Sequence, residues 1–279
     1  MEHKIFDHPH FGQSLYATNG TVEIIIPLSY GIRIGHFSFC GEKNVFFEQP
    51  HTMTDLSTPK GWRIRGGHRL WIAPESDDVY CPDNDPITCK VEGEKILLTQ
   101  KEDPWLNIVK SMEIQFGEGA EVTVLHKVQN TGKAPRQMAL WPISVMDAGG
   151  TQRIPITLQD NGDLPSHWLS LWSYTDLADK RAKYGKEEIV LTHTPEKQLY
   201  KIGVSQLAGP VTYENNGVVF ELDFPFIPGC TYPDNNVSYE TFMCEFMTEI
   251  ESLAPMMTVP AGEIREHTET WKLRKGDIL

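Results

Sequence analysis

The sequence predicts an all-β fold of antiparallel sheets with little helix, and three observations carry that expectation. Short runs rich in β-branched residues alternate apolar with polar positions, turn-forming residues separate them at close intervals, and helical periodicity is nearly absent. Many short strands without helices can bury their apolar faces only by stacking sheets or by closing one, so a sandwich or barrel follows.

Strand patterns are expected, in order, at Thr21–Leu28, Gly31–Phe39, Ile87–Val91, Asn107–Phe116 and Glu121–Gln129. The second half adds Glu188–His193, Lys201–Gln206, Gly217–Phe224, Ser238–Ile250 and Ile264–Leu273. Breakers fall between them: Asn19-Gly20, Gly117-Glu118-Gly119, Asn130 to Lys133, Asn215-Asn216-Gly217 and Pro260-Ala261-Gly262. Asn216-Gly217 between two such runs marks a two-residue hairpin, because both positions must accept positive φ. Only Thr175–Lys186 reads as a short surface helix. Two stretches, Gln49–Gly61 and Thr151–Ser173, read as long and irregular, the second carrying Trp168 and Trp172. Loops of that length build or cover a site, or else cross between sheets with their aromatics packed on an edge. Neither a repeat nor a linker interrupts the chain, so residues 1–279 are expected to form one domain.

An apolar share of 40% with 23% charged residues supports a sizeable core in a globular chain. The net charge of −13 argues against nucleic acid and against anionic membranes, since both are held by clustered Lys and Arg. Five scattered cysteines without a CxxC pair fit reduced thiols, and the first residues carry no apolar leader, so a cytoplasmic location is expected unless a leader has been removed. His3, His8 and His10 have no carboxylate or cysteine at ligand spacing, so neither a metal site nor a cofactor is expected.

Arg65-Gly66-Gly67-His68-Arg69-Leu70-Trp71, running on to Glu75, is the densest chemical segment. Paired glycines allow positive φ and close approach of a ligand, while an imidazole, forked donors, an indole and a carboxylate stand beside them. These are parts that hold a polyhydroxylated ring. Arg65 and Arg69, with Glu75 as a partner, are candidate clamps for hydroxyls or a phosphate. Further along, Asp147, which closes the Trp141 run, and Tyr232 and Asp234, in a Pro/Gly/Asn-rich loop, are candidates to line the site, against the plainer reading of a strand end and a turn, while Lys201 reads as a solvated strand cation. His126 reads as a core or surface histidine.

The order of motifs resembles the galactose mutarotase-like (aldose 1-epimerase-like) superfamily. It is carried by Arg65–Gly67, by the strand ending Val128–Gly132 with the apolar run Met138–Met146 behind it, and by Thr248-Glu249-Ile250-Glu251 followed by Pro260–Glu263 and Glu269–Leu273. The resemblance implies a β-supersandwich with a sugar site on the concave face of one sheet. It implies anomer interconversion, in which one group takes the anomeric hydroxyl proton while another protonates the ring oxygen. The family's glutamate base falls at Glu249 or Glu251, which period-two alternation places on one face, with Glu251 favoured. Classical mutarotases carry His-Gly-Gly where this chain has Arg65-Gly66-Gly67, and His-Pro where it has Trp141-Pro142. An indole stacks on sugars but donates no acid proton, which leaves His68 as the nearest substitute acid. The expected partner is therefore a small sugar or sugar derivative. The alternatives are a non-catalytic carbohydrate-binding protein of the same fold, or a relative of polysaccharide lyases and hydrolases. The oligomeric state has no sequence signal.

Overall fold

The computed structural model describes residues 1–49, 61–156 and 160–276. The irregular stretch expected over Gln49–Gly61 lies, apart from its two end residues, outside them.

The chain opens with β1 (Glu2–His8), β2 (Gly12–Thr18) and β3 (Val22–Pro27), an antiparallel meander. The run expected as one strand over Gly31–Phe39 instead divides into β4 (Arg33–Ile34) and β5 (His36–Phe39), which belong to different sheets. The division falls at Gly35, where a Cβ would meet the Phe11 ring at 2.8 Å. β5 completes a four-stranded sheet in the order β1-β2-β3-β5.

The glycine-rich segment becomes β6 (Gly67–Ala73), buried at every position. Then follow β7 (Thr88–Glu92), β8 (Lys95–Thr99), β9 (Ile108–Phe116), β10 (Glu121–Asn130), β11 (Arg136–Asp147), β12 (Thr151–Pro155), β13 (Leu169–Leu171), β14 (Ala182–Tyr184) and β15 (Glu188–Thr192). The last group is β16 (Tyr200–Val204), β17 (Val211–Asn215), β18 (Val218–Asp223), β19 (Tyr239–Met243), β20 (Met247–Ser252), β21 (Met257–Val259) and β22 (Ile264–Lys275).

Two of the expectations above need correction. Thr175–Lys186 is not a helix: turns lead into β14, because its few apolar side chains give no continuous stripe to bury. Thr151–Ser173 is not irregular throughout, since its ends pair as β12 and β13. The Asn216-Gly217 hairpin forms as expected, with φ of 51° and 72° between β17 and β18.

A ten-stranded sheet runs β14-β15-β12-β17-β18-β22-β10-β9-β8-β7. In β9 and β10 strict alternation buries one face and wets the other, as an outer antiparallel sheet requires. An eight-stranded sheet runs β13-β16-β19-β20-β11-β6-β4, with β21 beside β11. The two large sheets pack face to face: the Trp271 indole of β22 meets the His68 ring of β6 edge-on at 4.6 Å. Phe37, Phe46 and Phe220 gather around the same indole. In β6, β16 and β20 no position is exposed, so both faces of the eight-stranded sheet are covered there. One face meets the other sheet. The opposite face carries the cleft.

Candidate functional site

Register decides which side chains share a face. In antiparallel pairs directly opposed residues point the same way. Trp141 opposes Trp71, and Ile143 opposes both Arg69 and Glu251. Glu251 in turn opposes Glu240, Glu249 opposes Phe242, and Phe242 opposes Lys201. Five neighbouring strands thus direct Arg69, Trp71, Trp141, Lys201, Glu240, Glu249 and Glu251 to the face turned away from the ten-stranded sheet.

There Arg69, Trp71, Trp141, Lys201 and Glu249 line an open cleft of about 580 Å3, whose walls also include Trp62, Tyr80, Tyr174 and Phe242. The Trp62 and Trp71 rings lie 5.1 Å apart, and Trp71 meets Trp141 edge-on at 5.6 Å. Arg69 lies over Trp71, its guanidinium carbon 4.5 Å from the ring centre, and one of its nitrogens donates to Glu249 Oε1 at 2.8 Å. Its remaining guanidinium nitrogens, Nε and Nη1, are buried without a hydrogen-bond partner among the described residues. Glu75 also lines the cleft and accepts a hydrogen bond from the Tyr80 hydroxyl at 2.5 Å.

Beneath this surface, two residues beyond Glu249 on the same strand, lies Glu251, fully buried. Its Oε2 accepts from Trp141 Nε1 at 2.8 Å and from Lys201 Nζ at 3.3 Å, while Oε1 has no partner among the described residues. Lys201 Nζ also pairs with Glu240 at 2.9 Å and sits 4.7 Å from the ring centres of both Trp141 and Trp172. One ammonium therefore serves two buried carboxyls. If both were ionised, the cluster would hold a net negative charge out of water, which is costly. Burial accordingly drives the Glu251 carboxyl up, to about 7, with Lys201 opposing the rise and Glu249 adding to it. Burial raises Glu240 too, Lys201 again opposing. Burial alone would lower Lys201, but Glu251 and Glu240 outweigh it and keep the ammonium charged. Glu240, raised to about 9, therefore keeps its proton at neutral pH, while Glu251, raised to about 7, is divided there between its two forms.

Several sequence-derived candidates lie elsewhere. His68 is on β6 between cleft residues in sequence, but alternation turns it to the opposite face: it is fully buried between the sheets, its Nε2 2.7 Å from His126 Nε2. It cannot serve the cleft as an acid. Arg65 donates to Asn84 and stacks its guanidinium on Tyr30 at 3.9 Å, away from the cleft. Gly66 and Gly67 make room for the chain itself rather than for a ligand, since Cβ atoms there would meet Phe47 O at 1.9 Å and Ile34 O at 2.5 Å. Asp147 pairs with Lys43 at 2.6 Å on the surface. The hydroxyl of Tyr232 accepts from the Ile227 N–H, and its ring stacks on Phe226. Asp234 sits in a left-handed turn with φ of 47°, and its backbone oxygen accepts from Ser170. Lys201, expected on a solvated face, is buried at the cleft floor. Glu240, Trp62, Tyr80, Tyr174 and Phe242 were missed. Glu240 had no local signal, because only cross-strand register sets it opposite Glu251.

The arrangement matches known proteins in its fold. A galactose mutarotase-like protein from Lactobacillus casei superposes with a TM-score of 0.63 at 10% identity, over 94% of this chain and 100% of that one. A galactose mutarotase-like protein from Clostridium acetobutylicum gives 0.55 at 8% identity, over 98% of each chain. A TPR-domain containing protein from Parabacteroides distasonis gives 0.65 at 13% identity, over 94% of this chain but 47% of that longer one. No protein-family model matches the sequence, and no curated protein matches it either. At these identities the likeness establishes the galactose mutarotase-like sandwich fold and nothing finer.

Proposed function

We propose that the cleft binds a neutral sugar and interconverts its anomers, with Glu249 as base and Glu251 as acid. The carrying observation is Glu251 itself: a buried carboxyl whose Oε2 is fixed by Trp141 and Lys201 while Oε1 has no partner among the described residues. A carboxyl that holds its proton near neutral pH can do the work of the imidazole that is absent from this face. Glu249, set by Arg69 on the cleft surface, takes the proton of the anomeric hydroxyl. Glu251 gives its proton to the ring oxygen, the bond from that oxygen to the anomeric carbon breaks, and the aldehyde forms. After the aldehyde turns, both transfers reverse, so no proton is gained or lost overall. Indole faces of Trp71 and Trp62 cover the apolar side of the ring, and the free guanidinium donors of Arg69 meet hydroxyls. Both cleft cations, Arg69 and Lys201, already carry carboxylate partners, which supports a neutral sugar over a sugar phosphate.

One observation favours a second reading. Among the described residues, no histidine lines the cleft. A carbohydrate-binding protein without proton-transfer power would look the same. Polarimetry on freshly dissolved α-glucose and α-galactose separates the two. The proposal expects faster relaxation that depends on protein concentration. Saturable binding by calorimetry without any acceleration would establish the second reading instead.

A further inference from the structure

Behind the cleft, on the hidden face of the same sheet, three side chains from three strands converge: His68 from β6, His126 from β10 and Glu269 from β22. The two imidazole Nε2 atoms are 2.7 Å apart, His68 Nε2 is 3.9 Å from Glu269 Oε2, and all three donor atoms lie within 4.8 Å of one another. Each residue is at most 1% exposed. We propose that this inter-sheet cluster is a structural binding site for a divalent cation of the zinc type, held by His68 Nε2, His126 Nε2 and the Glu269 carboxylate.

Three features support it. The donor set is two nitrogens and one oxygen, which suits a borderline cation at roughly 2.0–2.2 Å from each atom. A point between donors so spaced lies within reach of all three after small side-chain shifts.

The outer partners are those that orient ligands. The Nδ1 of His126 faces the backbone oxygen of His267 at 3.1 Å, so it must carry the ring proton, and the lone pair is left on Nε2. The Nδ1 of His68 faces Ser144 Oγ at 2.9 Å, which can accept a hydrogen bond from a protonated Nδ1 and so leave the lone pair on Nε2 in the same way. Two lone pairs then point at one another, an arrangement that needs a cation or a proton between them. Glu269 is steadied at Oε1 by Ser252, 2.6 Å away, and at Oε2 by the Trp271 indole at 2.9 Å. Hydrogen bonds of this kind, made by the far side of a ligand, fix its orientation and raise its donor strength.

Burial also keeps water from competing for the donors, since all three side chains are closed off from solvent. On binding, any proton between the imidazoles moves to His68 Nδ1, the carboxyl gives up its own, and the cation takes their place. Sequence spacing hides the site: the ligands come from positions 68, 126 and 269, with no local motif. Surrounded by packed sheet, the cation is expected to enter during folding rather than by diffusion into the finished domain.

The test uses the full untagged chain with His3, His8 and His10 changed to Asn, so that the N-terminal imidazoles are not counted. The protein is unfolded with chelator, refolded with Zn2+ or Co2+, dialysed and analysed for metal. The expected result is about one equivalent retained per chain, a higher melting temperature than the metal-free protein, and cobalt absorption bands in the visible region. Glu269→Gln and His126→Asn should each lower retention to below about a tenth of an equivalent. Refolded protein without retained metal overturns the proposal, as does undiminished retention by either variant. Should a variant fail to fold, the metal content of the parent chain decides alone.

Discussion

In the proposed mechanism Glu251 carries the acid chemistry, and its replacement is the sharpest test at this scale. Glu251→Gln keeps the shape and the contact with Lys201 but has no proton to give. We expect a fall in the rate of anomer interconversion of roughly 10²–10⁴-fold with the fold intact by circular dichroism. The pH dependence has a definite sign. An acid works while protonated, so in the parent chain kcat/KM is retained below about 7 and lost as the pH rises through that value. A profile flat from pH 6 to 9 would remove Glu251 from the acid role. Lys201→Met is a different kind of change, because it strands two buried carboxyls without their cation. At pH 8 it should cost about 3–5 kcal/mol in urea unfolding. The cost should shrink towards pH 5, where both carboxyls are neutral, since a carboxyl raised by burial stabilises the folded state only while it keeps its proton. The pairing of Glu249 with Glu251 on one face was legible in the sequence, because period two needs no knowledge of the partner strand. Their link to Lys201 and Glu240 was not, since it depends on cross-strand register. His68 misled for the same reason that Glu251 did not: a neighbour in sequence is an opposite in a strand.

Strands were visible wherever apolar alternation ran uninterrupted, as in β9, β10 and β22. They were hidden where both faces are covered, as in β6, whose charges and glycines break up any apolar alternation. The split between β4 and β5 was hidden too, because the ring that presses on Gly35 comes from a remote residue, Phe11. Two glycines give a matched experiment on turns and close approaches. Gly217 has φ of 72° and nothing within 4 Å of its missing Cβ, so Gly217→Ala should cost about 1 kcal/mol from backbone strain alone. Gly66 has φ of 82° and the Phe47 carbonyl oxygen 1.9 Å from the same point, so Gly66→Ala should cost clearly more, about 3 kcal/mol or above. Equal losses in chemical denaturation would contradict the packing around Phe47.

Across the whole molecule, stability should grade from the sheet centres outward. Amide hydrogen exchange should be slowest in β10, β11, β20 and β22, which have partners on both sides, and fastest in β7, β13 and β14 at the sheet edges. Protection in β13 equal to that in β20 would argue that the edge is covered. The all-β architecture followed from composition, periodicity and breaker spacing, and the sandwich form followed from the order of motifs. The face of each sheet that meets solvent, ligand or the other sheet did not follow, because that is decided by pairings between residues far apart in the chain.

Strand β20 reads Met-Thr-Glu-Ile-Glu-Ser, every second letter serving the cleft side and the rest serving the interior between the sheets. Such a segment tolerates a change of letter far better than a change of count. One residue inserted ahead of Thr248 would transpose the two sides, sending both acids into the seam and bringing Thr248 and Ile250 out to face the cleft. Length, more than composition, is what natural variation of this chain should be found to preserve there.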